Sequence, residues 1–149
     1  TKMKKIIIST LFSIVYVFCT AQSESDIFGE WFNEEKDAVV TIYKDGNSIS
    51  GKTTWLKEPL DSKGNAKLDL KNPDEKLRSR KRMGLKIMHS FKYNDQENNW
   101  EDGRIYDPKK GKLYGGTATL VNENELKLKG YIISMPFLGR TATWTRKTN

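Results

Sequence analysis

The sequence predicts an all-β protein of about eight antiparallel strands, enough for either a small closed barrel or a two-sheet sandwich. Three observations support this class. Runs rich in β-branched and aromatic residues recur after Gly29 at roughly ten-residue spacing. Most runs are separated by turn-forming residues, and no helical period of useful length interrupts them. We expect a single domain.

The strands are predicted from residue type and from the turns between them. Asp45-Gly46-Asn47 is typical of a hairpin turn, because Gly and Asn adopt positive φ. In 107–111 Pro108 presets a turn that Gly111 ends. The predicted strands are 29–33, 38–44, 48–56, 84–93, 100–107, 112–121, 125–133 and 140–146.

Alternation along each strand assigns the inward side chains, since successive residues point to opposite faces. In the last strand Thr141, Thr143 and Thr145 form a polar face, so the residues between them should point inward. Near Gly103 a bulge is expected to switch the alternation. The predicted shared faces are Ile49, Gly51, Thr53 and Trp55; Leu85, Ile87, His89 and Phe91; Leu126, Leu128, Gly130 and Ile132; and Arg140, Ala142, Trp144 and Arg146.

One long segment, 57–83, lacks a strand pattern and is predicted to be a loop after the third strand. Loops of this length are usually functional or disordered. It ends in a basic cluster, for which two interpretations remain: a solvated charged loop, or a site that recognises an anionic component of the cell envelope. The cluster comprises Lys76, Arg78, Arg80, Lys81 and Arg82.

Residues 1–21 are predicted to be a signal peptide. Lysines precede an apolar run, 6–19, which is 14 residues long and too short for a spanning helix of about 20. Cys19-Thr20-Ala21 suits cleavage after Ala21, leaving 22–149 as one domain in the periplasm or outside the cell. Phe18 argues against a lipid anchor on Cys19, where a small residue is needed. The alternative is a buried N-terminal strand or helix.

Composition excludes several classes of protein. The chain has 26 Lys and Arg against 19 Asp and Glu, and a mean hydropathy of −0.69 rules out a bundle of membrane helices. Without 1–21 the net charge is 23 − 19 = +4, which is modest for a nucleic-acid partner. Cys19 is the single cysteine, so cleavage would leave neither disulfides nor thiol chemistry.

The order of motifs resembles the bacterial family known as domain of unknown function 2147. The resemblance implies an exported protein with a lipocalin-like, up-and-down barrel, and it implies no reaction. At Met83 the sequence departs from relatives that often carry cysteine. The matching residues are Gly29-Glu30-Trp31; Gly51 with Trp55-Leu56; Lys71-Asn72-Pro73-Asp74 with Leu77-Arg78-Ser79-Arg80; Gly84-Leu85; Ile105-Tyr106-Asp107-Pro108 with Gly111 and Tyr114; Leu126 with Gly130-Tyr131; and Leu138-Gly139-Arg140 with Trp144 and Arg146.

A second similarity is to lipocalins, in which a Gly-x-Trp on the first strand lies at the closed end of the barrel. There a basic residue of the last strand packs across the tryptophan. This resemblance implies that Arg146 covers Trp31, with a cation–π gain of roughly 0.5–2 kcal/mol. Both residues would then have a structural role.

Candidate binding residues are those expected at the open end of the lumen. Arg140 lies six residues from Arg146 on the same face, about 20 Å away at ~3.3 Å per residue. A charge in a barrel mouth must be paired or wet, so its partner is an internal acid (Asp69, Asp74 or Asp107) or the carboxylate of a ligand. The predicted ligand-binding residues are Trp55, Tyr114, Arg140 and Trp144.

No catalytic, metal or cofactor site is predicted. His89 is the only histidine, and no spacing of His, Cys, Asp or Glu supplies partners for a metal. The leading hypothesis is an exported, non-enzymatic barrel that binds a small hydrophobic or anionic amphipathic molecule. The alternative is a barrel filled by its own side chains that acts in the envelope through the 57–83 loop; an enzyme ranks third.

Overall fold

A computed structural model describes residues 21–148, which fold into one closed barrel of eight antiparallel strands. Each strand pairs with the next along the chain, and the last pairs with the first. The all-β class and the up-and-down barrel are therefore confirmed. The strands are β1 Gly29–Phe32, β2 Ala38–Asp45, β3 Ser48–Leu56, β4 Lys86–Asn94, β5 Asn99–Asp107, β6 Lys112–Asn122, β7 Glu125–Ile132 and β8 Met135–Arg146.

Short 3₁₀ helices, Glu24–Ile27 and Glu75–Leu77, precede β1 and interrupt the loop between β3 and β4. No helix in the described range is long and apolar enough to cross a membrane. Residues 1–20 of the predicted signal peptide lie outside the described residues, so export stays a prediction.

The last strand begins earlier than predicted, at Met135 instead of Arg140. Pro136 and Gly139 obscured this part of the strand, because both residues are depleted in strand interiors. Within the described chain β1 pairs with β8 only at Thr145 and Arg146, so the first part of β8 has β7 on one side and a free edge on the other. Proline is tolerated on such an edge.

The closed end of the barrel is sealed as the lipocalin resemblance implies. The guanidinium of Arg146 lies 4.1 Å from the ring centre of Trp31, whose indole nitrogen donates to the carbonyl of Ile27 at 2.9 Å. Arg146 also donates to the carbonyls of Phe28 and Asp26, at 2.8 and 2.7 Å. The predicted pairing of Trp31 and Arg146 is confirmed.

Bulges in β4 and β5 change which side chains face the core. Ser90 and Asp102 have φ of 60° and 58°, and the pairing register shifts between Trp100 and Gly103, which confirms the bulge expected there. Because of the extra residue in β4, Met88 and Phe91 are both fully buried in the core. The inward position predicted for His89 is therefore wrong.

The core fills the closed half of the lumen. The Phe91 ring crosses it above two glycines, and a Cβ on Gly103 or Gly116 would lie 2.4 or 2.6 Å from that ring. Only glycine permits this approach. The buried cluster consists of Ile27, Trp31, Val40, Ile42, Ile49, Met88, Phe91, Trp100, Ala118, Leu126, Leu128 and Trp144.

The long loop is ordered and is anchored on the open end of the barrel. Its Asp69 is fully buried and accepts hydrogen bonds from the Tyr106 hydroxyl of β5 at 2.5 Å and from Asn72 at 2.8 Å. The Arg80 guanidinium completes this network, 3.0 Å from the same carboxylate. A buried carboxylate is stable only when it is paired in this way.

Candidate functional site

The open half of the barrel contains a cavity of about 870 Å³. Ligand pockets in proteins commonly measure about 300–1,000 Å³, so this volume suits a small organic molecule. Its deeper wall is apolar and its rim is charged. The wall includes Val40, Leu56, Ile87, Ile105, Leu128, Ala142 and Trp144; the rim includes Glu35, Asp37, Lys57, Glu58, Lys67, Arg82, Asp107, Lys109, Lys110 and Arg140.

Two of the aromatic residues predicted to line the lumen do so. Trp144 on β8 forms part of the cavity wall with only 6% of its surface exposed, and Tyr114 on β6 lies across the same space. The inward orientation of Trp144 is the one predicted from alternation along the last strand. The indole of Trp144 therefore forms part of the cavity wall.

Trp55, in contrast, does not line the cavity. Val39 pairs with Trp55 whereas Val40 pairs with Thr53, so Thr54 is an extra residue in β3. Beyond this bulge Trp55 lies on the outer face of the barrel, 41% exposed and edge-on to Phe32 at 6.1 Å. The lumen position predicted for Trp55 is wrong because a one-residue shift reverses the face of a strand residue.

Arg140 reaches the rim of the cavity as predicted, but it is already paired. Its guanidinium is hydrogen-bonded to the carboxylate of Glu34, which also accepts from the backbone N–H of Thr143 at 3.4 Å. The hydrogen bond from Arg140 holds the pKa of Glu34 below its usual value. The partner is an internal acid, although not one of the three expected, Asp69, Asp74 and Asp107, because the β1–β2 turn folds toward β8.

Arg82 also lies at the cavity, and this position was not predicted. The sequence indicated only that Arg82 belongs to the basic cluster of the long loop. Its Nε donates to the carbonyl of Leu68 at 3.1 Å and its Nη2 to that of Pro108 at 3.3 Å, which fixes the guanidinium at the cavity. Within residues 21–148 no carboxylate lies within ion-pair distance of it, and its Nη1 makes no hydrogen bond. The side chain is half-buried.

Besides Arg140, three basic side chains at the rim form ion pairs, whereas Lys57, like Arg82, has no acidic partner among residues 21–148. The pairs are Lys109 with Asp37 at 2.7 Å, Lys67 with Glu58 at 3.2 Å and Lys110 with Asp107 at 3.9 Å. For Asp37, burial alone would raise the pKa, but the hydrogen bonds from Lys109 and Asn33 outweigh burial and lower it. Arg82 therefore differs from the paired cations because no acidic side chain offsets its charge, and from Lys57 because two backbone carbonyls hold its guanidinium in place.

The buried network behind the cavity positions Arg82. Tyr106 lines the cavity, and its hydroxyl donates a hydrogen bond to the carboxylate of Asp69. The backbone N–H of Asp69 donates to the backbone carbonyl of Arg80 at 2.8 Å. Burial, followed by the hydrogen bond to Asp69, raises the pKa of Tyr106 to about 12. The phenol is therefore protonated at neutral pH, and the network holds the loop that carries Arg82 against β5.

His89 lies apart from the cavity. Partial burial, followed by the charge of Lys86, lowers the pKa of the imidazole, which is consequently neutral at pH 7. Across the described range no group of three His, Cys, Asp or Glu residues has the spacing to hold a metal ion. Asp107 stabilises its turn, where its carboxylate accepts the Lys109 N–H at 2.8 Å.

Comparison with known proteins identifies the family. The sequence profile of the family described as "Uncharacterized protein conserved in bacteria (DUF2147)" matches residues 29–146, and the chain belongs to this family. Among solved structures the fold is similar to HP1028 of Helicobacter pylori, which is described as a lipocalin-family protein, with a TM-score of 0.63 and 20% identity over 75% of this chain and 73% of that one. No curated protein matches the sequence.

Proposed function

We propose that this member of the uncharacterized bacterial family binds a small amphipathic molecule with an apolar body and an anionic group. The observation that carries the proposal is the cavity of about 870 Å³ with an apolar wall and Arg82 at its rim. An apolar pocket with a few convergent polar groups is the usual design of a small-molecule site. A barrel filled throughout by its own side chains would not leave this volume.

Arg82 is the residue that we expect to hold the anionic group. Two carbonyls fix its position, and these neutral acceptors leave its charge uncompensated. A ligand carboxylate would accept a charge-assisted hydrogen bond from the free Nη1. Arg140, which we first expected in this role, is 72% exposed and neutralised by Glu34, so its contribution should be smaller.

The test is a titration of tryptophan fluorescence with dodecanoate and with dodecanol, which share an alkyl chain and differ in charge. We expect saturable binding of dodecanoate at micromolar concentration, and a Trp144→Phe variant should lose most of the signal. Arg82→Gln should weaken binding of dodecanoate by about 2–5 kcal/mol, since it leaves the ligand charge unpaired. Binding of dodecanol should change little, and Arg140→Gln serves as the matched control.

A second variant tests the cavity itself. A Cβ on Gly130 would find its nearest atoms 3.9 Å away, in Ile105 and Tyr114, and φ of this glycine lies outside the left-handed region. Gly130→Leu should therefore fold normally, narrow the cavity and weaken binding of both probes. Absence of saturable binding by dodecanoate, dodecanol and haem in the wild type would contradict the proposal. So would unchanged binding by a correctly folded Gly130→Leu variant.

The proposal includes export and a binding, not catalytic, role. The lysines and the short apolar run ahead of Ala21 support a leader. His89 lies away from the cavity and Asp107 is engaged in a turn, so neither supports a reaction there. Of the basic cluster, Arg80 neutralises Asp69 and Arg78 bonds to the carbonyl of Asn72, so much of its charge serves to hold the loop.

A further inference from the structure

The two ends of the barrel carry opposite charge. The loops at the open end contain 12 Lys and Arg against 8 Asp and Glu, a net charge of 12 − 8 = +4. The segments at the closed end contain 1 against 5, a net charge of 1 − 5 = −4. The open-end loops are 33–37, 57–85, 108–111 and 133–134; the closed-end segments are 21–28, 46–47, 95–98, 123–124 and 147–148.

Exposed apolar side chains concentrate at the same basic end. Of the eleven large hydrophobic residues exposed within 21–148, only Val121 lies near the closed end. Five of the others lie in the hairpin between β7 and β8, which has no charged residue from Gly130 to Gly139. Their exposed fractions are 41% for Ile132, 44% for Ile133, 40% for Met135, 80% for Phe137 and 45% for Leu138.

From this combination we propose that the open end docks on an anionic lipid bilayer, with the β7–β8 hairpin inserted among the acyl chains and the surrounding basic loops against the head groups. Apolar side chains ringed by lysines bind in this way, because burial of the apolar groups and attraction to anionic lipids act together. A protein partner fits less well, since lysine is depleted at protein interfaces.

The cavity opens onto the surface that would meet the lipid. Ile132 and Leu138 of the hairpin also line the cavity, and so do Lys57 and Lys110 of the neighbouring loops. A docked barrel would therefore present its mouth to the bilayer. Docking rests on the surface alone and does not require that the cavity binds anything.

The experiment is flotation of the protein with vesicles of phosphatidylcholine, with and without phosphatidylglycerol, in the absence of any other ligand. We expect binding to the anionic vesicles, weaker binding to the neutral ones, and a decrease with added salt because exposed charges are screened. Phe137→Ser should weaken binding on the order of tenfold, since the exposed ring is the largest group available for insertion. Val121→Ser is the matched control and should bind like the wild type.

A second pair of variants tests the charge. Lys57→Gln with Lys110→Gln should weaken binding to anionic vesicles by about fivefold for each lysine removed. Lys127→Gln with Lys129→Gln removes the same charge from the wall of the barrel and should have less effect. Thermal melts confirm that each variant is folded.

Three outcomes would overturn lipid docking. These are failure of the wild type to float with anionic vesicles, equal binding by Phe137→Ser and Val121→Ser, and a change only in self-association in solution for the hairpin variants. The last result would assign the surface to a second copy of the chain. Because the vesicles contain no soluble amphipathic ligand, failure here leaves the titrations of the cavity unaffected.

Discussion

Removal of the Arg146 side chain tests the closed end of the barrel. In Arg146→Ala the guanidinium is lost from the ring of Trp31, 4.1 Å away, and from the carbonyls of Phe28, Asp26 and Glu123. These contacts join β1, β8, the N-terminal 3₁₀ helix and the β6–β7 turn. The substitution therefore removes the one side chain that ties these four segments together.

The expected loss in the free energy of unfolding can be estimated from these contacts. A partly desolvated cation–π contact contributes about 1 kcal/mol. Each of the three hydrogen bonds contributes roughly 0.5–1 kcal/mol net, because the freed carbonyls regain water at this partly exposed site. The sum is a loss of about 3 kcal/mol in the free energy of unfolding. For a domain whose total stability is typically about 5–15 kcal/mol, this is a large fraction.

Urea denaturation monitored by circular dichroism measures the effect. We expect the midpoint to fall by about 1.5 M at an unchanged slope of roughly 2 kcal/mol per molar. Lys147→Ala is the control, since its exposed ion pair with Glu30, at 2.9 Å, should contribute less than about 1 kcal/mol. Equal midpoints for Arg146→Ala and Lys147→Ala would refute the reasoning.

Three other predictions concern the loop anchor and the N-terminus. The pKa of Tyr106 is raised to about 12 in the folded state, so the hydrogen-bonded phenol should stabilise the fold fully below pH 10, and this stabilisation should be lost as the pH rises toward 12. Urea melts at several pH values measure it, and Tyr106→Phe should remove the part of the pH dependence that is due to this phenol. Asp69→Asn should leave the Tyr106 hydroxyl and the Arg80 guanidinium without a charged acceptor and lower the free energy of unfolding by about 2–3 kcal/mol. Faster proteolysis within the 57–85 loop would show that the loop is released. The exported protein should begin at Gln22 without lipid, and an intact mass showing acylated Cys19 would contradict this.

The strands could be predicted because their signals are local. Alternation and turn residues lie within a few positions of each other, so six of the eight predicted strands agree with the structure to within one residue at both ends. Only the bulge near Gly103 had such a signal, in its glycine, and the bulges at Thr54 and Ser90 had none. Thr54 and Ser90 look like ordinary strand residues, yet each inserts one position, so that the residues on its two sides no longer alternate as expected. The predicted inward positions of Trp55 and His89 were wrong for this reason.

The site could be predicted only in part, because its polar residues come from loops. The inward orientation of Trp144 follows from strand alternation, and both Trp144 and Tyr114 line the cavity. Arg82 depends on how 57–85 folds back on the barrel, which is determined by the burial of Asp69 against Tyr106, 37 residues away in sequence. The cluster containing Arg82 was visible in the sequence, but nothing local distinguished it from its neighbours.

Glycines explain why one half of the lumen is filled and the other is open. Gly103 and Gly116 leave room for the ring of Phe91 to lie across the barrel, because a side chain at either position would collide with that ring. Gly130 pairs directly with Gly116 but faces no such ring, so the space beside it stays empty and forms part of the cavity. The same residue type therefore completes the core where it meets the Phe91 ring and contributes volume to the cavity where it does not. Which outcome occurs depends on whether another strand supplies a bulky side chain opposite the glycine, and the bulge at Ser90 brings the Phe91 ring against Gly103 and Gly116 but not against Gly130.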